Sequence, residues 1–243
     1  MSPIRISAPV FTLTLALAAA TACNSPRRAD GTLGRAAAEQ AAGRDAGVRT
    51  ETSADAKAAD SIGFFLGRID ERVRAWSNLK LDAQNSEDLH RLNLLEQTIQ
   101  YDTRRRIDEL VAQLESGPPR NRAIAAVGLG FSGQSKAQAA LLAALGDPED
   151  EVVGNALLGL GILGQADTPT AEIAYHLRTH GDGWARNNAA YALQRIAAAP
   201  NEGAADPGEG AADPALAASL REALADEMAG VRAQCAATLG RLG

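Results

Sequence analysis

Aromatic side chains make up only 4% of this 243-residue chain, which holds two cysteines, two methionines, two tryptophans and three histidines. With so few aromatic and β-branched residues there is little to furnish the faces of a sheet. The Ala- and Leu-rich remainder favours helix. The two cysteines, Cys23 and Cys235, stand far apart in unlike surroundings, which excludes a disulfide framework. A net charge of −6 without a clustered basic face gives no reason to expect a nucleic-acid partner. No Ser/His/Asp or Cys/His set and no recognisable carboxylate pair is legible, so neither a catalytic residue nor a cofactor is expected.

What is present begins with an address. Arg5 precedes an apolar run, Val10 to Ala20, that is too short to span a bilayer as a helix. Small residues follow, and the pattern describes an export signal over residues 1–22. Ala20-Thr21-Ala22-Cys23 resembles a bacterial lipoprotein signal. That resemblance implies a diacylglycerol thioether on Cys23 as the new N-terminus, and with Asn24 behind it, sorting to the outer membrane facing the periplasm. Two or more acyl chains hold to a membrane where one does not. The alternative is plain cleavage after Ala22, leaving a soluble exported protein. Residues 23–60 are Ala, Gly, Arg, Asp, Glu and Thr without an apolar stripe, which predicts a disordered tether with at most a weak helix near Arg35–Ala42.

Residues 61–117 read as a helical hairpin. Ile62, Phe65, Leu66, Ile69, Val73 and Trp76 recur at helical spacing. A break follows over Asn78–Asn85, with Asn85 or Ser86 as the next cap. A second stripe then runs from Leu92 to Leu114, broken around Thr103 and Arg106, and stops at Gly117-Pro118-Pro119. Such a hairpin suits the end of a stacked array, and a coiled-coil dimer is the alternative. Arg104-Arg105-Arg106 reads as a solvated face beside acidic residues, with phosphate binding as the other option.

From residue 118 to 243 one pattern returns four times: from Arg120 (RNRAIAAVGLG), Glu151 (EVVGNALLGLG), Trp184 (WARNNAAYALQ) and Gly230 (GVRAQCAATLG). Leu129, Leu160, Leu193 and Leu239 share one position, at spacings of 31, 33 and 46 residues. The excess of the third spacing lies in a polar Gly/Pro/Asp-rich insertion, residues 200–214. Each unit reads as two helices. The second helices align through Leu141, Ile173 and Leu220, and one turn on through Leu145, Leu177 and Leu224. Neither helix of a unit can bury its stripe alone, so neighbours must stack into one continuous core. The predicted fold is all-α: a solenoid of helical pairs preceded by a hairpin.

The acidic turn at Asp147-Pro148 and Asp226, the Val231-Arg232 pair with Arg122 and Arg186 at the equivalent place, the small-residue run and the Leu with Gly behind it resemble HEAT repeats, in particular the short units first described in phycobiliprotein lyases. The second unit departs from the pattern, with Val153 in place of the arginine. The resemblance implies a curved protein-binding scaffold with the second helices on the concave face. On that face it would display Lys136, Glu172, His176, Arg221 and Glu222 to a partner protein.

Some signals point elsewhere. Gly128-Leu-Gly130-Phe-Ser-Gly133 and Gly159-Leu-Gly161-Ile-Leu-Gly164 fit a dinucleotide fingerprint. No strand precedes them, and they recur at the repeat spacing, so helix packing and a turn are expected instead. His176 and His180 lie one helical turn apart with Asp182 behind. They are the residues for the alternative of a metal-dependent hydrolase or lyase, against the plainer reading of histidines at a helix C-terminus. Cys235 takes an alanine position and reads as a small core residue. The final helix has no following partner in the pattern; it is either a cap or an edge for self-association, which makes a homo-oligomeric structural envelope protein the third alternative. The function expected first is a non-enzymatic, membrane-anchored binding scaffold.

Overall fold

The computed structural model describes residues 61–199 and 213–242. The expected signal segment, the lipidation site Cys23, the tether and most of the 200–214 insertion lie outside the described residues. Among the described residues there are ten α-helices and no strand.

Helix α1 (Ile62–Asp82) starts at Ser61, whose hydroxyl accepts from the Phe64 amide at 3.3 Å, and buries Phe65, Leu66, Ile69, Val73 and Trp76. Helix α2 (Ser86–Arg105) starts at Asn85, whose side chain accepts from the Asp88 amide at 2.9 Å. The second stripe does not make a single helix. It breaks at Arg106 (φ −124°, ψ 27°), and α3 (Ile107–Ser116) follows on a new axis. The break lets Ile107, Leu110 and Leu114 face the repeats while the Arg106 guanidinium lies 4.6 Å from the centre of the Phe65 ring and bonds Glu109.

The first helices of the units are α4 (Pro119–Gly130), α6 (Asp150–Leu163), α8 (Gly183–Ala197) and α10 (Ala229–Leu242). The second helices are α5 (Ser135–Ala143), α7 (Ala171–Thr179) and α9 (Pro214–Glu222), with 3₁₀ turns closing α5 and α9 at Ala144–Gly146 and Ala223–Ala225. First helices stack in order, α4 on α6 on α8 on α10. Helix α1 packs on the outer side of α4, and α3 packs on α4 and α5. Thus α1 and α3 occupy the places of a preceding unit, with α2 as an extra helix between them.

Because α4, α6 and α8 have neighbours on both sides, most of their residues are buried, Asn187 and Asn188 of α8 among them. Leu129, Leu157, Leu160 and Leu193 are fully buried, as are Leu141, Ile173 and Leu220 in the second layer. Leu224 differs from Leu145 and Leu177: it is 40% exposed. The helix axes approach closely at glycine. A Cβ on Gly130 would stand 2.6 Å from the Gly159 carbonyl oxygen, and one on Gly159 would stand 2.7 Å from that of Ala126. The glycines that mimic a nucleotide loop are therefore contact points, while Gly133 and Gly164 make left-handed turns after α4 and α6 (φ 62° and 55°).

Ionic ties cross two of the three joints between first helices. Arg122 on α4 grips Asp147, just before α6, through Nε at 2.8 Å and Nη2 at 2.9 Å, and donates to the Gly117 carbonyl at 3.0 Å. Arg186 on α8 bonds Asp226, just before α10, at 2.7 Å, then Glu227 at 2.8 Å and the His180 carbonyl at 3.0 Å. Val153 removes the tie from the middle joint. There the Trp184 ring fills the space left by Gly154, where an added Cβ would stand 2.2 Å from the ring. The Asn188 amide also donates to the Gly154 carbonyl at 2.9 Å inside this joint.

Candidate functional site

Each second helix displays the residues that the sequence assigned to it. Lys136 is exposed at the start of α5 and pairs with Asp108 of α3. Glu172 is exposed and His176 half-buried on α7; Arg221 and Glu222 are exposed at the end of α9. His176 is held below the usual imidazole range, first by desolvation and then by His180, with Glu172 acting the other way. The two imidazoles are 5.7 Å apart between ring centres. His180 Nδ1 accepts from the Asp182 amide at 3.1 Å and its Nε2 faces Asp150 at 3.6 Å, while the Asp182 carboxylate accepts from the Trp184 amide at the start of α8. Asp182 is thus spent as a cap. Among the described residues no group of three or more His, Cys, Asp or Glu is placed to hold a metal ion.

Cys235 is fully buried on α10, and burial pushes its thiol up to about 12. A thiol kept protonated is neither nucleophile nor ligand. In native protein Cys235 is expected to resist iodoacetamide and to react once guanidinium unfolds the chain; fast native labelling, read by mass spectrometry on a Cys23→Ser background, would refute this.

A hollow of about 430 Å³ opens elsewhere, where α1 and α2 meet the C-terminal ends of α4, α6 and α8. None of the five residues expected on the concave face lines it. Its floor is aromatic. Trp76 is buried, meets Phe131 edge-on with ring centres 5.1 Å apart, and donates its indole N–H to Glu96 of α2 at 2.7 Å. Tyr191 of α8 is buried beside it, and desolvation raises its phenol above the usual range. The Lys80 ammonium lies 4.5 Å from the centre of the Trp76 ring and 5.9 Å from that of Tyr191. Lys80 is an exposed residue by area, yet its ammonium end sits among these side chains. Desolvation holds it below the usual lysine range; Glu96 opposes the shift and Arg195 adds to it.

The sequence carried only faint signs of this hollow. Tyr191 takes the position of Val127 and Leu158 in other units, and a phenol where aliphatics otherwise stand hints at a wet edge. Lys80 and Arg195 each follow an aromatic residue by one helical turn.

Residues 107–194 match the family model described as HEAT repeats. These residues are HEAT repeats, and the described helices form an all-α solenoid. The match opens at α3, in keeping with its place as a second helix. A designed armadillo repeat protein is similar at 15% identity and a TM-score of 0.45, over 73% of this chain and 87% of its own. No curated protein matches. The HEAT array is a repeat scaffold, of the kind that binds other proteins. No described helix is long and apolar enough to cross a membrane.

Proposed function

We propose that this HEAT-repeat chain is a non-enzymatic scaffold that binds a partner protein while tethered to the bacterial envelope through Cys23. The observation that carries the binding role is the open aromatic hollow on an array whose acidic and basic side chains are otherwise largely paired or solvated. Stacked helices hold such a surface rigid, which lowers the entropy lost when a partner docks. The tether reading is supported by Arg5, the apolar run Val10 to Ala20 and Ala20-Thr21-Ala22-Cys23. Lipidation would keep the array at the outer membrane, facing the periplasm.

The address is tested with Cys23→Ser. The variant is expected to leave the membrane fraction and to lose incorporation of labelled palmitate; retention in membranes would end the lipoprotein reading. Binding is tested by crosslinking in native envelopes followed by mass spectrometry. Recovery of a distinct partner protein supports the scaffold. Recovery of self-crosslinks alone would replace it with a self-associating structural role.

A further inference from the structure

The hollow is one end of a longer track. A second open hollow of about 380 Å³ runs beside it along α2, sharing Gln97 and Gln100 and adding Tyr101, Arg104 and Arg105. Four cationic side chains line the two together: Lys80 and Arg195 at the aromatic end, Arg104 and Arg105 at the other. The one carboxylate lining them is Glu96, and its Oε1 already accepts from Trp76. Arg104 is oriented by its Nε bond to the Ser132 carbonyl at 2.7 Å, and Arg105 stacks over Tyr101 with its carbon 5.4 Å from the ring centre. Elsewhere several arginines are paired with carboxylates, as at Asp70–Arg74, Asp147–Arg122 and Asp226–Arg186. On a chain of net charge −6, this excess of positive charge is local. It lies between cationic walls over an apolar floor, where fields are focused.

Resting on the scaffold reading, we infer that this track along α2 takes an extended acidic segment of the partner protein. Its carboxylates pair with Lys80 and Arg195 at one end and with Arg104 and Arg105 at the other. An apolar side chain between them covers Trp76 and Tyr191, and the amides of Gln97 and Gln100 meet its backbone. The volume of each hollow suits a few residues rather than a folded face. A basic segment would meet like charges, and the desolvated ammonium of Lys80 would stay without a carboxylate of its own.

The test is fluorescence anisotropy of the soluble Cys23→Ser chain with a short fluorescein-labelled peptide of alternating Asp and Leu. Controls are the same peptide with Asn for Asp, and with Lys for Asp. The Asp peptide is expected to bind and to weaken steeply with salt. The Lys80→Gln, Arg195→Gln double variant is expected to lose roughly tenfold or more, as two charge-assisted contacts would. Arg105→Gln, at an exposed site whose loss leaves the core intact, is expected to lose a smaller factor. Unchanged circular dichroism melts keep the variants interpretable. Equal binding of the Asn or Lys peptide, or equal binding by both variants, would overturn the inference. So would a light-scattering mass that falls to monomer only in the variants, since the occupant would then be a second copy. If envelope crosslinking still captures the partner with the double variant, the track is wrong and the scaffold stands. If no partner is captured by the wild type either, the scaffold itself falls.

Discussion

Gly159→Val is expected to destabilise the array by roughly 3 kcal/mol or more, the upper end of the cost of overpacking a closely fitted core. The position sits where α6 crosses α4. An added Cβ would stand 2.7 Å from the Ala126 carbonyl oxygen and 3.0 Å from Leu141 Cδ2. The leucine has other rotamers, but the carbonyl belongs to a hydrogen-bonded helix and cannot withdraw alone. Gly130→Ala should report the same crossing from the other side, since its Cβ would meet the Gly159 backbone at 2.6 Å and 2.7 Å. The contrast is Gly67→Ala on the exposed face of α1, where nothing lies within 4 Å. There the intrinsic preference of helices for Ala over Gly should stabilise by about 1 kcal/mol. Urea unfolding followed by circular dichroism reads all three. If Gly159→Val and Gly67→Ala shift the midpoint in the same direction, glycine is not setting the distance between the helices.

Arg186→Met should cost about 2–3 kcal/mol at neutral pH, between the values for exposed and fully buried ion pairs. The Arg186 side chain is 12% exposed and that of Asp226 9%. The variant keeps most of the apolar stem but strands Asp226 with only the Met228 amide at 2.8 Å and the nearby Arg232. For Asp226, desolvation is the largest influence and pushes the carboxyl up. The Arg186 bonds, the Met228 amide and both nearby arginines together outweigh it and hold the group below the usual carboxylate range. A carboxyl with a depressed folded value stabilises the fold above its unfolded value of about 3.9, and that stability drains as pH falls through the lower folded value. In the variant the Arg186 part of the opposing pull is gone, so burial lets Asp226 protonate more readily and acid relieves it. The gap between wild type and variant should therefore narrow below about pH 4. A gap that stays constant into acid would mean that the arginine acts by packing alone.

The array was legible because its period was. Leu129, Leu160 and Leu193 mark one buried row, which Leu239 continues half-buried in α10. The break at Arg106 showed in the sequence as an interruption of the stripe around Thr103 and Arg106 but not as a helix end; there Arg106 lies over Phe65 and α3 packs on the first repeat. The hollow escaped for a related reason. Periodicity reports which side chains share a face of one helix. Trp76, Glu96, Phe131 and Tyr191 meet from four separate segments, through the end-to-side placement of α2 against the stack. The residues assigned to the second helices came instead from the family's usual surface, which is a statement about the fold rather than about this chain.

The middle joint has no equivalent of the arginine tie. Val153, the Trp184 ring on Gly154 and the Asn188 bond to the Gly154 carbonyl hold α6 to α8, with the Asp150–His180 contact beside them. The ladder therefore has an oily rung between two salty ones. Acid should loosen the outer rungs and spare the central one, so that amides of α6 and α8 outlast those of α4 and α10 in hydrogen exchange at low pH. Cold, which weakens apolar contact, should reverse that order. One small molecule would then come apart along different seams in different solvents, although its units descend from a single pattern.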